Sequence, residues 1–162
     1  MILQNDTKNG GIFVREQGIN EKSRITLGKP IQVRLVSDLQ KSQSYYRDCL
    51  GCSVDDWGHA ERDDLCFILQ QAVSSEDVKP NVASAKRPNY PTEWVGPDYG
   101  WDTFLHIGWE ELDQFVEEVR ANGGNIGIEP FMGEHGDWEF KNAHILDPDG
   151  YNIVLGAMRK IK

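Results

Sequence analysis

The second half of this chain repeats the pattern of the first. Shifting the 162-residue sequence by 73 positions lays Ile31 on Phe104, Asp38 on Glu111 and Leu39 on Leu112. The same shift lays Tyr46 on Val119, Arg47 on Arg120 and Gly51 on Gly124. One register thus covers a strand, a helix start, a helix face and a closing glycine without a gap. A recurring unit of this kind is a supersecondary motif stacked on its own copy.

Each copy predicts the same order of elements. In residues 31–36, Ile31, Val33 and Leu35 alternate with Gln32 and Arg34, the period of a strand. Asp38 suits the N-cap of a helix that carries Leu39, Tyr46 and Leu50 on one face and ends at Gly51. Strands are expected at 52–57 and, after a hairpin around Arg62-Asp63-Asp64, at 65–71. In the second copy 104–109 reads as a strand. Leu112, Phe115, Val116 and Val119 then give the stripe of an amphipathic helix that stops at Gly123-Gly124. Strands at 125–129, 138–146 and 151–157 follow, the last two joined by the turn Asp147-Pro148-Asp149-Gly150. The fold class is therefore α+β, built from two βαβββ modules at 30–72 and 103–158.

Two segments lie outside the repeat. Residues 1–29 form a polar extension whose runs Ile12-Phe13-Val14 and Ile25-Thr26-Leu27 suit an extra hairpin or an edge strand. Residues 73–102 hold four prolines and an aromatic second half from Tyr90 to Trp101, the makeup of a connector or lid.

Composition excludes several functions. A net charge of −9 leaves no basic patch for nucleic acid, although it is compatible with a cationic ligand or with solubility alone. No apolar run is long enough to cross a membrane, and residues 1–9 lack the apolar core of an export signal. A cytoplasmic protein is expected. The three cysteines are odd in number, and Cys49-x-x-Cys52 falls at a helix C-terminus, where a thiolate is disfavoured. No nucleophile elbow or phosphate loop is present.

Val36-Ser37-Asp38-Leu39, followed by Tyr45-Tyr46-Arg47-Asp48-Cys49-Leu50-Gly51, resembles the strand-to-helix signature of the vicinal-oxygen-chelate superfamily. That superfamily includes glyoxalase I, bleomycin-resistance proteins, fosfomycin-resistance enzymes and extradiol dioxygenases. Asp147-Pro148-Asp149-Gly150 with Ile153 resembles its final hairpin and strand. The resemblance implies an open, curved mixed sheet around a cavity. It also implies a homodimer with ligand crevices at the subunit boundary.

The same resemblance locates four metal-ligand positions. Metal-dependent members place His or Gln seven residues before the acidic helix start of each module, and Glu on each module's last strand. Here those positions hold Ile31, Phe104 and Val154, and residues 65–71 contain no carboxylate. A metal-free site is expected. The alternative is a divalent metal ion held by Gln32 and His106 in a lyase, isomerase or dioxygenase with a non-standard ligand set.

Phe104 and His106 lie two residues apart, so they share the face that the resemblance turns toward the cavity. Ile31 stands at the equivalent place in the first module. Trp57, Trp94, Trp101 and Trp138 are candidate aromatic walls and Glu139 a candidate acidic contact, although core packing explains the tryptophans equally well. His59, His135 and His144 are expected at the surface or at a sheet edge. The function expected is sequestration of a small, cationic or aromatic ligand without catalysis; the other readings are the metal enzyme above and a structural module with a vestigial cavity.

Overall fold

The computed structural model of the chain describes residues 25, 27–81 and 101–161. The expectations for Ile12-Phe13-Val14, for Trp94 and for the rest of residues 82–100 lie outside that range. The first module comprises β1 (Gln32–Val36), α1 (Leu39–Asp48), β2 (Ser53–Val54), β3 (His59–Arg62) and β4 (Leu65–Gln71). The second comprises β5 (Thr103–His106), α2 (Trp109–Ala121), β6 (Asn125–His135), β7 (Trp138–Leu146) and β8 (Asn152–Lys160). Each makes a four-stranded mixed sheet, in the orders β1-β4-β3-β2 and β5-β8-β7-β6. The first strand of each module runs parallel to its last strand. This is the α+β pair of βαβββ modules that the repeat predicts.

Local chemistry fixes the helix ends. The Asp38 carboxylate accepts from the Lys41 N–H at 3.0 Å, closing the first turn of α1. Gly51 (φ 67°) and Gly123 (φ 81°) take the left-handed conformation that ends each helix. The helix starts are displaced from the expected register. Glu111 is not the start of α2: its carboxylate caps the N–H of Gly108, and the helix begins at Trp109. The offset between modules is therefore 70 residues from Leu39 to Trp109 and 73 from Asp48 to Ala121, because α2 has 13 residues and α1 has 10. β5 correspondingly ends at His106 rather than running to 109.

Two other strands differ from expectation. β2 is only Ser53–Val54, because Asp55 accepts from the N–H groups of Trp57 and His59 and turns the chain early. β6 continues to His135 rather than ending at 129. Its register with β7 shifts between Ile128 and Phe131, which brackets Pro130, a residue with no N–H to give the ladder. An edge strand tolerates that interruption.

One hydrophobic core serves both modules, with Tyr46, Leu50 and Phe67 packed in the same cluster as Leu112, Ile145 and Leu155. Buried polar groups cross the junction. The Arg34 guanidinium donates to Tyr46 Oη and Thr103 Oγ1, both at 2.5 Å, and pairs with Asp147 at 3.4 Å. Tyr46 Oη donates to Asp147 at 2.8 Å, and the same carboxylate accepts from the N–H groups of Asp149 and Tyr151. Burial pushes the Asp147 carboxyl up, and the surrounding donors oppose that rise. Tyr45 Oη reaches the Leu146 carbonyl and Tyr151 Oη the Leu35 carbonyl, so the modules exchange hydrogen bonds in both directions.

Removing one partner leaves the other charge buried and uncompensated. Asp147→Ala is expected to destabilise the fold by about 3–5 kcal/mol in urea unfolding. Arg34→Met with Asp147→Leu is expected to cost less than the single change.

Candidate functional site

Strand alternation divides the second sheet into two faces. Ala143, Ile145, Ile153 and Leu155 turn toward α2 and join the core. The opposite face is built from paired rows. Phe104 sits beside Val154, which sits beside His144, and His106 sits beside Gly156, which sits beside Asn142. A third row pairs Phe140 with Met158.

This face carries a cavity of about 260 Å³. Trp101, Phe104 and His106 form one side, with ring centroids 5.4 Å apart for the first pair and 5.1 Å for the second. Phe140, Met158 and Asn142 continue the floor, and Glu134 and His135 approach from β6. Phe104 remains 40% exposed, an unusual state for a phenyl ring on a folded sheet. Gly156 makes its position possible. A Cβ on Gly156 would lie 2.1 Å from Phe104 Cζ, so the ring crosses β8 only where no side chain stands.

His144 corrects an expectation. It is 1% exposed rather than at the surface, because Trp101 and Phe131 pack against it with ring centroids 6.5 Å and 6.2 Å away. Its Nδ1 is 3.0 Å from the Asn152 amide nitrogen. Its Nε2 and the Asn152 Oδ1 are buried with no hydrogen-bond partner among the described residues. Burial lowers the His144 pKa to about 4, so the ring is neutral near pH 7.

A larger groove of about 610 Å³ lies at the module junction, between the β3–β4 turn and α2. Arg62, Asp63, Asp64, Glu111 and Glu118 line it beside Leu65, Leu105, Phe115 and Leu155, His106 borders it too, and Arg62 already pairs with Glu118 at 2.7 Å. A ligand site needs apolar walls with a few convergent polar groups, and the face carrying Phe104 has them.

The glyoxalase/bleomycin resistance protein/dioxygenase superfamily model matches residues 31–155. The chain belongs to that superfamily. No curated protein matches it significantly. Among solved structures, an integron cassette protein from the mobile metagenome of V. Cholerae is 17% identical, with a TM-score of 0.51 over 83% of this chain and 98% of its own. A glyoxalase/bleomycin resistance protein/dioxygenase from Alicyclobacillus acidocaldarius is 12% identical, with a TM-score of 0.55 over 80% and 90%. These likenesses concern the fold.

The residues present do not fit the divalent cation of the superfamily's metal-dependent members. Seven residues before the N-cap Asp38 stands Ile31; seven before the true N-cap Gly108 stands Trp101 in place of Phe104. Neither offers a lone pair. Val154 is fully buried hydrocarbon. Gln32 is held by Thr103 Oγ1 at 2.5 Å, and Thr103 faces the opposite side of β5 from His106, so Gln32 and His106 do not converge. Among the described residues no three His, Cys, Asp or Glu side chains form a group able to hold a metal.

The superfamily fold brings together Trp101, Phe104 and His106 and disperses the other candidates. Trp57 is 84% exposed in the first module. Trp138 lies beneath the Lys160 ammonium and Glu139 binds Arg159 at 2.6 Å, outside the cavity. Ile31 is exposed just before β1, and no described residue of the first module lines the cavity. Sequence reasoning missed Glu134, His135, Phe140, Asn142 and Met158. The first two were lost with the end of β6 behind Pro130; the others follow from alternation once His144 is placed. Cys49, Cys52 and Cys66 are free and buried, and burial pushes the thiols of Cys52 and Cys66 up to about 11, which leaves them unreactive.

The lowered pKa of His144 makes stability depend on pH. The unfolded chain takes up a proton near its ordinary 6.5, and the folded chain resists until about 4. The contribution of His144 is intact above pH 6.5 and is lost as pH falls through that window. The slope is at most about 1.4 kcal/mol per pH unit. His144→Phe is expected to flatten this part of the profile, measured by urea unfolding of both proteins across the window.

Proposed function

We propose that the chain binds a small aromatic molecule against Trp101, Phe104 and His106, in a metal-free cavity and without chemical transformation. The observation that carries this reading is the row of Trp101, Phe104 and His106 rings, with Phe104 40% exposed, along one side of the cavity. An apolar wall supplies affinity by burial, about 25 cal/mol per Å² of ligand surface covered, and requires no cation. Glu134 at the rim gives a cationic ligand a carboxylate to approach.

Drug-sized ligands occupy roughly 300–1,000 Å³ and are mostly enclosed. The cavity falls short of that range, and among the described residues its walls come from the second module. We infer that a second copy supplies the missing wall. The first module leaves Ile31 and Val33 exposed on its own bare edge, Val33 by 59%, on the face of β1 opposite the buried Arg34. A two-fold dimer would place that face of one copy over the cavity of the other, and the reverse, closing both sites at once.

Toluene is a suitable probe because it offers a ring and nothing else. It is expected to bind the wild-type protein in saturation-transfer NMR. Gly156→Val, which displaces Phe104, is expected to weaken it by at least about ten-fold. Sedimentation is expected to give a dimer that Val33→Lys dissociates, with loss of toluene binding. A monomeric wild-type protein would remove the shared-wall part of the proposal. Stoichiometric nickel, zinc, iron or manganese in protein purified without chelator would overturn the metal-free reading.

A further inference from the structure

Two buried polar atoms behind Trp101 have no hydrogen-bond partner among the described residues. Asn152 donates its amide N–H to His144 Nδ1, so the single proton of the neutral ring sits on Nε2. That N–H is an orphaned donor, and Asn152 Oδ1 is an orphaned acceptor on the same hydrogen-bonded unit. Buried polar groups are satisfied in folded proteins with few exceptions, so a donor and an acceptor left over on one hydrogen-bonded unit call for a partner that supplies both. Trp101 connects this unit to the cavity: it lines the cavity and its ring also covers His144. Trp101 is 37% exposed, so part of the indole reaches solvent.

We propose that His144 and Asn152 are the polar end of the cavity and recognise a neutral carboxamide on the aromatic ligand, with Trp101 as the cover that moves aside. The carboxamide oxygen accepts from His144 Nε2–H, and its N–H donates to Asn152 Oδ1. A carboxylate satisfies the histidine but sets its charge against the Asn152 oxygen. An ammonium satisfies that oxygen but faces the imidazole N–H. A group that both accepts and donates completes the pair, and a carboxamide carries the acceptor and the donor on separate atoms of one planar unit. This assignment rests on the cavity reading above and narrows it to one ligand class.

The test compares benzamide with toluene, benzoate and benzylammonium, all carrying the same ring, on the full chain. Benzamide is expected to bind at least about ten-fold tighter than toluene, because it satisfies both orphaned atoms. In protein with nitrogen-15 histidine, benzamide is expected to shift the His144 Nε2 resonance and toluene to leave it unchanged. His144→Phe and Asn152→Leu are each expected to abolish the benzamide preference while toluene still binds. Equal affinity for benzamide and toluene, a preference for benzoate or benzylammonium, or an unmoved Nε2 resonance overturns the carboxamide assignment and leaves the cavity reading in place. Failure of all four probes overturns both.

Discussion

The buried Arg34–Asp147 pair is the constraint on which the arrangement of modules depends. Arg34 belongs to β1 and Asp147 to the turn before β8, so their pairing ties the first strand of one module to the last hairpin of the other. Tyr46 and Thr103 extend the tie to α1 and β5. Two buried charges cost more to desolvate than they return unless every lone pair and proton is engaged, and here the carboxylate has four donors. The network's contribution is geometric: it admits one mutual orientation of the two sheets. That orientation leaves the far face of β5 and β8 bare.

What stands on the Phe104 face follows from close packing. Phe104 lies across β8 because position 156 is glycine, and Trp101 and His106 are set against its two sides. An aromatic row built this way presents a fixed apolar surface at little entropic cost, since each ring has two torsions to restrain. Val154 lies beneath it, fully buried, so the last-strand position at which metal-dependent members carry Glu holds hydrocarbon here.

Much of this was legible in the sequence because alternation and helical spacing are strictly periodic. The βαβββ order, the Asp38 cap, Gly51, and the shared face of Phe104 and His106 all follow from period and turn chemistry alone. The failures occurred where a side chain overrode the period. Glu111 capping Gly108 lengthened α2 and changed the offset from 73 to 70 over β5, so the position equivalent to Ile31 is Trp101. Pro130 concealed a strand that continues beyond a bulge. His144 was assigned to the surface because a histidine in a strand has no sequence mark of burial; its depth comes from Trp101, 43 residues earlier, folding over it.

The orphaned atoms of His144 and Asn152 bear on why the site is not simply a hydrophobic slot. An unsatisfied buried polar group costs about 1–3 kcal/mol, and replacing both side chains with hydrocarbon would remove that cost. A site that needed affinity alone would gain from the replacement, because apolar contact discriminates poorly between ligands of similar shape. Polar groups left unpaired in the empty site act the other way. They penalise every occupant that fails to satisfy them, and they reject ligands more strongly than an added apolar contact selects them. The neutral state of His144 is part of that filter, since burial holds its pKa near 4 and leaves the ring with a donor and no charge. On the proposed reading, the aromatic row sets how tightly a ring is held and the covered pair beneath Trp101 sets which rings are admitted.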